Sequence, residues 1–254
     1  MMLETAIQAA QASGEIADRY FESLDLKHEF KDDKSLVTTA DREIEEVCAA
    51  LIRTRHPDHG ITGEEGESSN KDAPYQWVID PIDGTRNFAN SIPFFAISIA
   101  VMKDHIPVAG VVYNPVTRGL YAAEAGKGAF WNEQRMHVSN EGTDTALVTI
   151  GYALHEKARA YRVFANASEH VNSMRLFGSC ALELALLANG STEAFVCLGL
   201  NKWDYAAGWL LVKEAGGMIT GCEGNTCDLS ENYFIASNGK VHDAALALIR
   251  SVPA

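Results

Sequence analysis

The run Trp77-Val78-Ile79-Asp80-Pro81-Ile82-Asp83-Gly84-Thr85 carries an apolar segment into two carboxylates three residues apart. Two carboxylates on a stiff turn suit a hard divalent cation, which binds through oxygen. Pro81 fixes its own φ and has no N–H, so the segment is not expected to continue as a central strand. Gly84 permits close approach of the backbone to a ligand. Thr85 is expected to open a short helix, Arg86 to Ala89, with its first amides facing a phosphate. The competing explanation is an Asp83-Gly84 hairpin turn, which is the commoner use of that dipeptide taken alone.

Three further segments have the same double character. Thr62-Gly63-Glu64-Glu65-Gly66-Glu67 reads as a solvated acidic loop or as a source of ligands. In Lys202-Trp203-Asp204-Tyr205-Ala206-Ala207-Gly208, Asp204 reads as an N-cap, worth about 1 kcal/mol. Lys34-Ser35-Leu36-Val37-Thr38-Thr39-Ala40-Asp41 reads as a strand end followed by a helix cap. Together, three acidic segments fall at strand ends or helix starts, and two have glycines beside them. That arrangement suits a pocket holding metal and phosphate, and several carboxylates are needed for two or three Mg²⁺.

The elements that must position these residues follow from periodicity. Residues 4 to 24 repeat apolar side chains at helical spacing, among them Ile7, Ala17, Phe21 and Leu24. A second helix follows Thr38, Thr39 and Asp41, with Ile44, Cys48 and Ile52 on its stripe and Pro57 at its end. From Trp77 to about Val138, short β-type runs punctuated by Pro and Gly predict an antiparallel sheet. These runs are Trp77 to Ile79, Ala96 to Met102, Val108 to Tyr113 and Leu120 to Ala123. After a polar link at 139–142, strands near 146–150, 173–176, 194–197 and 233–236 alternate with helices near 156–168, 181–188, 205–215 and 242–250. The pattern predicts a layered α+β sandwich. It is read as one domain over 1–254, with an α+β half to about 140 and an α/β half from about 141.

Composition narrows the function. The chain has 254 residues, 47% hydrophobic and 22% charged, enough for a large core without metals or disulfides to hold it. Its formal charge of −13 argues against direct binding to nucleic acid or to an anionic membrane. The longest apolar stretch, Phe94 to Met102, is too short to span a bilayer. Cys48, Cys180, Cys197, Cys222 and Cys227 show no zinc-type pairing. Reduced thiols, and an N-terminus without a signal-peptide pattern, point to the cytoplasm.

The run Asp80 to Thr85 followed by Asn87-Phe88 resembles the signature of the inositol monophosphatase family. Gly63-Glu64-Glu65 resembles its upstream metal motif. Trp203-Asp204-Tyr205-Ala206-Ala207-Gly208, with Glu214-Ala215-Gly216-Gly217 after it, resembles the downstream one. Leu36-Val37-Thr38 through Asp41 is similar to a fourth motif, and Gly178-Ser179-Cys180-Ala181-Leu182 to the segment lining the substrate site. The resemblance runs in order from about residue 1 to 250.

It implies a Mg²⁺-dependent, lithium-sensitive phosphatase with an αβαβα sandwich of the sugar-phosphatase type, commonly a homodimer. Glu64, Asp80 and the Ile82 carbonyl would bind one metal, and Asp80, Asp83 and Asp204 a second. A third, weaker metal would lean on Glu64. Thr85, hydrogen-bonded to Asp41, would position and help deprotonate a metal-activated water. The Gly84 and Thr85 amides would hold the phosphate. Substrate contacts would come from Ile82, Asp83, Gly84, Thr85, Gly178, Ser179, Cys180, Cys197 and Asp204.

Two positions depart from the pattern. Cys197 stands seven residues before Asp204, where animal members have a glutamate that contacts the inositol ring. Arg86 follows Gly84-Thr85 where many inositol phosphatases have threonine. A thiol cannot replace a carboxylate as a hydrogen-bond acceptor. A roomy, weakly selective pocket is therefore expected, with kcat/KM values within about two orders of magnitude across sugar and polyol phosphates. Fructose 1,6-bisphosphate, histidinol phosphate and adenosine 3′,5′-bisphosphate are alternative substrates. The other alternative is a binding protein of the same fold, acting through RNA polymerase or RNA-processing partners. The complete set Glu64, Asp80, Asp83, Thr85 and Asp204 favours the enzyme.

Overall fold

The computed structural model describes residues 1–21, 28–31 and 35–252. In chain order the elements are α1 (Met2–Tyr20), β1 (His28–Phe30), β2 (Leu36–Thr38), α2 (Thr39–Arg55), β3 (Gly60–Gly63), β4 (Ser68–Ser69), β5 (Tyr75–Asp83) and α3 (Thr85–Ala89). Then come β6 (Ala96–Lys103), β7 (Ile106–Asn114), β8 (Gly119–Glu124), β9 (Gly128–Trp131), β10 (Gln134–Arg135), β11 (Leu147–Tyr152) and α4 (Lys157–Asn166). The chain closes with β12 (Ser173–Arg175), α5 (Cys180–Ala188), β13 (Ala194–Leu198), α6 (Lys202–Glu214), β14 (Met218–Gly221), β15 (Tyr233–Ser237) and α7 (His242–Arg250).

The strands form an eight-stranded sheet ordered β10-β9-β8-β7-β6-β5-β3-β4, a five-stranded sheet ordered β12-β11-β13-β15-β14, and the pair β1-β2. The large sheet is antiparallel except where β3 runs parallel to β5. In the smaller sheet β11 is parallel to β12 and β13, while β15 is antiparallel to its neighbours.

Strand alternation sorts side chains into layers. Trp77 and Ile79 of β5 face α1 and α2, packing with Ala17, Ile44 and Ile52. Val78 faces the other way, into a core with α5 and α6. That middle core also takes Phe195 of β13 and Phe234 of β15, so it joins residues from both halves of the chain. Val196 and Ile235 point outward, against Val163 of α4 and Ile249 of α7. The result is the expected αβαβα sandwich. α5 and α6 are apolar on nearly every face because a sheet covers each side of them. At Gly208 of α6 an added Cβ would sit 2.6 Å from Leu184 Cβ of α5, so the glycine sets how closely these helices pack.

Several expectations are corrected. α1 ends at Tyr20, because Phe21 turns extended and lays its ring against Phe88 and Phe95, with centroids 5.9 and 5.2 Å away. Leu24 and Lys34 lie outside the described residues. β5 does not stop at Pro81; it runs to Asp83 through an irregularity in its pairing with β6. Asp83-Gly84 is a strand-to-helix junction and not a hairpin. β9, β10 and β14 are short strands absent from the sequence reading. α6 starts at Lys202, three residues earlier than read.

Candidate active site

Residues three apart on a regular strand point to opposite faces. Asp80 and Asp83 escape this because Asp80 pairs with Ser98 and Asp83 with Ala96, which are two apart on β6. Three residues of β5 are thus set against two of β6, a bulge that absorbs one residue and turns both carboxylates to one side. Pro81 suits the bulge, since it has no N–H to contribute to the ladder.

Asp204 arrives from α6. It is not the N-cap: Asn201 caps the helix, and Asp204 is the third helical residue, closing a capping box by accepting the Asn201 N–H at 2.6 Å. The Ser98 hydroxyl donates to the Trp203 carbonyl at 3.3 Å and ties β6 to this helix start. Carboxylate oxygens of Asp80, Asp83 and Asp204 lie within 4.8 Å of one another.

Asp83 is clamped by the start of α5. It accepts the Ala181 N–H at 2.8 Å, the Cys180 N–H at 3.2 Å and the Ser179 hydroxyl. Burial nevertheless pushes its pKa up to about 7. Asp80 and Asp204 are raised well above the carboxylate range, first by burial and then by the neighbouring carboxylates. Asp80 Oδ1 is buried without a hydrogen-bond partner. An oxygen-only donor set with an orphaned carboxylate oxygen fits a hard divalent cation.

Glu64 follows β3 and donates its N–H to the Ile79 carbonyl of β5 at 3.1 Å. Lys31 pairs with Glu64 at 2.9 Å and with Glu65 at 2.6 Å. Burial works against the Lys31 charge, but these two carboxylates outweigh it and hold the ammonium above its ordinary pKa. The acidic loop is therefore not freely solvated. Glu45 shapes it from α2, accepting the Glu65 and Glu67 N–H groups at 2.8 Å each. Lys31, Glu45 and Asn87 have structural roles that periodicity does not show. Asn87 donates to the Phe94 and Phe177 carbonyls at 2.7 and 2.8 Å, pinning the segment before Gly178.

The Thr85 hydroxyl lies 3.0 Å from the Ile82 carbonyl and 3.5 Å from Asp41 Oδ1. Asp41 is buried at the start of α2, where its other oxygen accepts the Thr38 N–H at 2.8 Å and hydroxyl at 2.5 Å. Burial pushes it up to about 7 as well. Gly84 has φ 93°, and a Cβ there would come within 3.0 Å of the Gly178 carbonyl, so the junction needs glycine.

Glu64, Asp83, Gly84, Thr85, Gly178, Ser179, Cys180 and Asp204 line one cavity of ≈ 470 Å³. Asp80 and Ile82 lie buried on β5, and Asp41 stands behind Thr85. Cys197 is the exception. It is fully buried on β13, its thiol donates to the Asn232 carbonyl at 3.3 Å, and Leu200 rather than Cys197 reaches the cavity wall. The short side chain is used up within the core. Glu183, also at the cavity, is a buried acid pushed up to about 8 by burial, with one oxygen accepting the Gly178 N–H at 3.0 Å.

A model described as the inositol monophosphatase family matches residues 1–254. The chain belongs to the inositol monophosphatase family. It is a phosphoric monoester hydrolase, and this family's reaction is Mg²⁺-dependent hydrolysis of phosphate monoesters. Among its relatives are a protein named Nus factor SuhB from Pseudomonas aeruginosa, 37% identical over 98% of this chain and 96% of that one, and an inositol-1-monophosphatase from Mesorhizobium japonicum, 35% identical over 98% and 96%. The solved extragenic suppressor protein suhB from Bartonella henselae superposes with a TM-score of 0.92 at 34% identity, covering 98% of each chain.

The carboxylate energetics give a pH test. Asp41 and Asp83 titrate near 7 in the folded chain and near ~4 when unfolded. The folded state therefore holds these protons more tightly. The stability these two groups contribute is fully present below about pH 4 and is lost as pH rises through about 7. After exhaustive chelation, the melting temperature is expected to drop between pH 5 and 8. Added Mg²⁺ should restore it and release protons. Differential scanning calorimetry across that range, with Asp83→Asn as a control that flattens the slope, checks this. A melting temperature that climbs with pH in the chelated protein would contradict it.

Proposed function

We propose that Glu64, Asp80, Asp83 and Asp204 hold two or three Mg²⁺, and that small sugar, polyol or related phosphate monoesters are hydrolysed beside them. The observation that carries this reading is the convergence of three buried or half-buried carboxylates within 4.8 Å, whose repulsion only cations or protons offset. Glu64, Asp80 and the Ile82 carbonyl hold one ion. Asp80, Asp83 and Asp204 hold the second, and a third leans on Glu64. When bound, Mg²⁺ lowers the pKa of water and neutralises phosphate charge.

The chain's own groups do the positioning. The Thr85 hydroxyl has a single proton, shared between the Ile82 carbonyl and Asp41, so its lone pairs face the cavity and orient the attacking water. Asp41, raised to about 7, is matched to accept a proton relayed through Thr85 near neutral pH. The Gly84 and Thr85 amides hold the phosphate. Ser179 and the Cys180 and Ala181 amides keep Asp83 in place.

The reading extends to residues 1–254 acting as one unit, a cytoplasmic homodimer and inhibition by Li⁺, as the family resemblance implies. Light scattering and a Li⁺ titration test the last two. Relatives carrying the name Nus factor support a second role alongside catalysis, association with transcription machinery. Co-purification with RNA polymerase would test that role.

The experiment for the main reading is phosphate release from glycerol 2-phosphate, inositol 1-phosphate, fructose 1,6-bisphosphate, histidinol phosphate and adenosine 3′,5′-bisphosphate. Turnover of at least one is expected, lost in chelator and regained with Mg²⁺. Activity indifferent to chelation would end the metal assignment.

A further inference from the structure

The donors at the start of α5 are divided between two acids. An N-cap serine ordinarily accepts an amide of its own helix. Ser179 instead gives its hydroxyl to Asp83, and no side-chain bond from it caps α5. The first helical amides also go to Asp83, Cys180 N–H at 3.2 Å and Ala181 N–H at 2.8 Å. The amide of Gly178, just before the cap, goes the other way, to the Glu183 carboxyl at 3.0 Å. Gly178 has φ 82°, the left-handed backbone that lets neighbouring amides diverge in this manner. Glu183 thus reaches back past the first turn of its own helix to take its share.

The turn held in this way meets the site at two places. One is the clamp on Asp83. The other is Gly84, where an added Cβ would lie 3.0 Å from the Gly178 carbonyl and 3.2 Å from Ser179 Cβ, so the turn backs the junction that leads into Thr85. Asn87 fixes the preceding carbonyl, that of Phe177, at 2.8 Å. Glu183 itself is fully buried. Burial pushes its pKa up to about 8, so the carboxyl is neutral at pH 7 and adds no charge to the acidic end. Its Oε2 has no hydrogen-bond partner. A buried polar atom left unpaired costs stability, so Glu183 supplies direction to the turn more than net stability to the fold.

We propose that Glu183 is a positioning residue for the phosphatase reaction: by holding the Gly178 amide it fixes the turn that aims three donors at Asp83 and seats Gly84. The proposal rests on the metal-dependent reading above and adds a residue that acts on the site from behind it. Glu183 acts through the turn and not on the substrate. Groups that orient a metal ligand from behind are worth roughly 10- to 100-fold in metal affinity or activity.

The test measures Mn²⁺ affinity at the tightest site by isothermal titration calorimetry, and hydrogen exchange of the 178–181 amides in the metal-free protein. Glu183→Gln keeps an oxygen at the same reach and should match wild type in both. Glu183→Met fills the space without an acceptor. It should bind Mn²⁺ about 10-fold more weakly or worse, exchange the 178–181 amides faster, and change its melting temperature little. A merely structural residue would lower the melting temperature and leave the affinity of the folded protein unchanged, and that result overturns the proposal. So does a Glu183→Gln protein that loses affinity as Glu183→Met does, since charge and not the held amide would then matter. If Glu183→Met does not fold, Glu183→Asp takes its place, because its carboxyl falls one methylene short of Gly178. The same losses are expected there, and wild-type behaviour overturns the proposal. If wild type binds no Mn²⁺, the metal reading fails, and hydrogen exchange decides the role of Glu183 separately. Faster exchange in Glu183→Met than in wild type and Glu183→Gln upholds it, and equal exchange overturns it.

Discussion

Asp80→Asn is expected to reduce phosphate release by about a thousandfold or more, the equivalent of several kcal/mol of lost electrostatic stabilisation. Asp80 belongs to both proposed ion sites, and its Oδ1 has no protein partner to satisfy it otherwise. The amide keeps the shape but loses the charge. Stability should move the opposite way. In the chelated protein the substitution removes one of several mutually repelling buried carboxylates, so its melting temperature should hold or rise by a few degrees, at about 2–4 °C per kcal/mol. Loss of activity with gain of metal-free stability separates a ligand from a structural residue. Wild-type turnover in Asp80→Asn, or a protein that simply unfolds, would contradict the assignment.

Thr85→Ala is expected to lower kcat by ~10²–10⁴, the usual worth of a positioned proton-transfer group. KM and melting temperature should change little, because the hydroxyl's contacts are with Ile82 and Asp41 and no core apolar surface is lost. Thr85→Ser should recover most of the rate. The comparison position is Thr117, on the far hairpin, where it caps the turn before Gly119. An equal loss of activity in Thr117→Ala would show that the Thr85 effect is not specific to the chemistry.

What was legible in the sequence was what local physics decides. α7 runs from His242 to Arg250 as its periodicity indicates, and Thr38 caps α2 with Asp41 completing the box. The run Asp80 to Thr85 was readable as a site because a proline and a glycine constrain the backbone around two acids. How it becomes one was not. The bulge that turns Asp80 and Asp83 to one side depends on the register with β6, a long-range pairing. The competing explanation for Asp204, an N-cap, fails because Asp, Asn and Ser compete for that position, and here Asn201 takes it. Lys31 pairs with Glu64 across 33 residues of sequence, and no periodic signal reports such a contact. Cys197 matched by spacing, yet a thiol is too short to leave the strand's packing. Strands as brief as β10 and β14 carry too few residues to show a period and exist through their neighbours.

The most direct measurement is an anomalous difference map at the manganese edge, from crystals grown with Mn²⁺ in place of Mg²⁺. At least one strong peak is expected among the Asp80, Asp83 and Asp204 carboxylates, with a second near Glu64 and the Ile82 carbonyl. Both should vanish in Asp80→Asn. A map with no peak at these carboxylates, from crystals whose dissolved protein still releases phosphate with Mn²⁺, would contradict the metal-centred account.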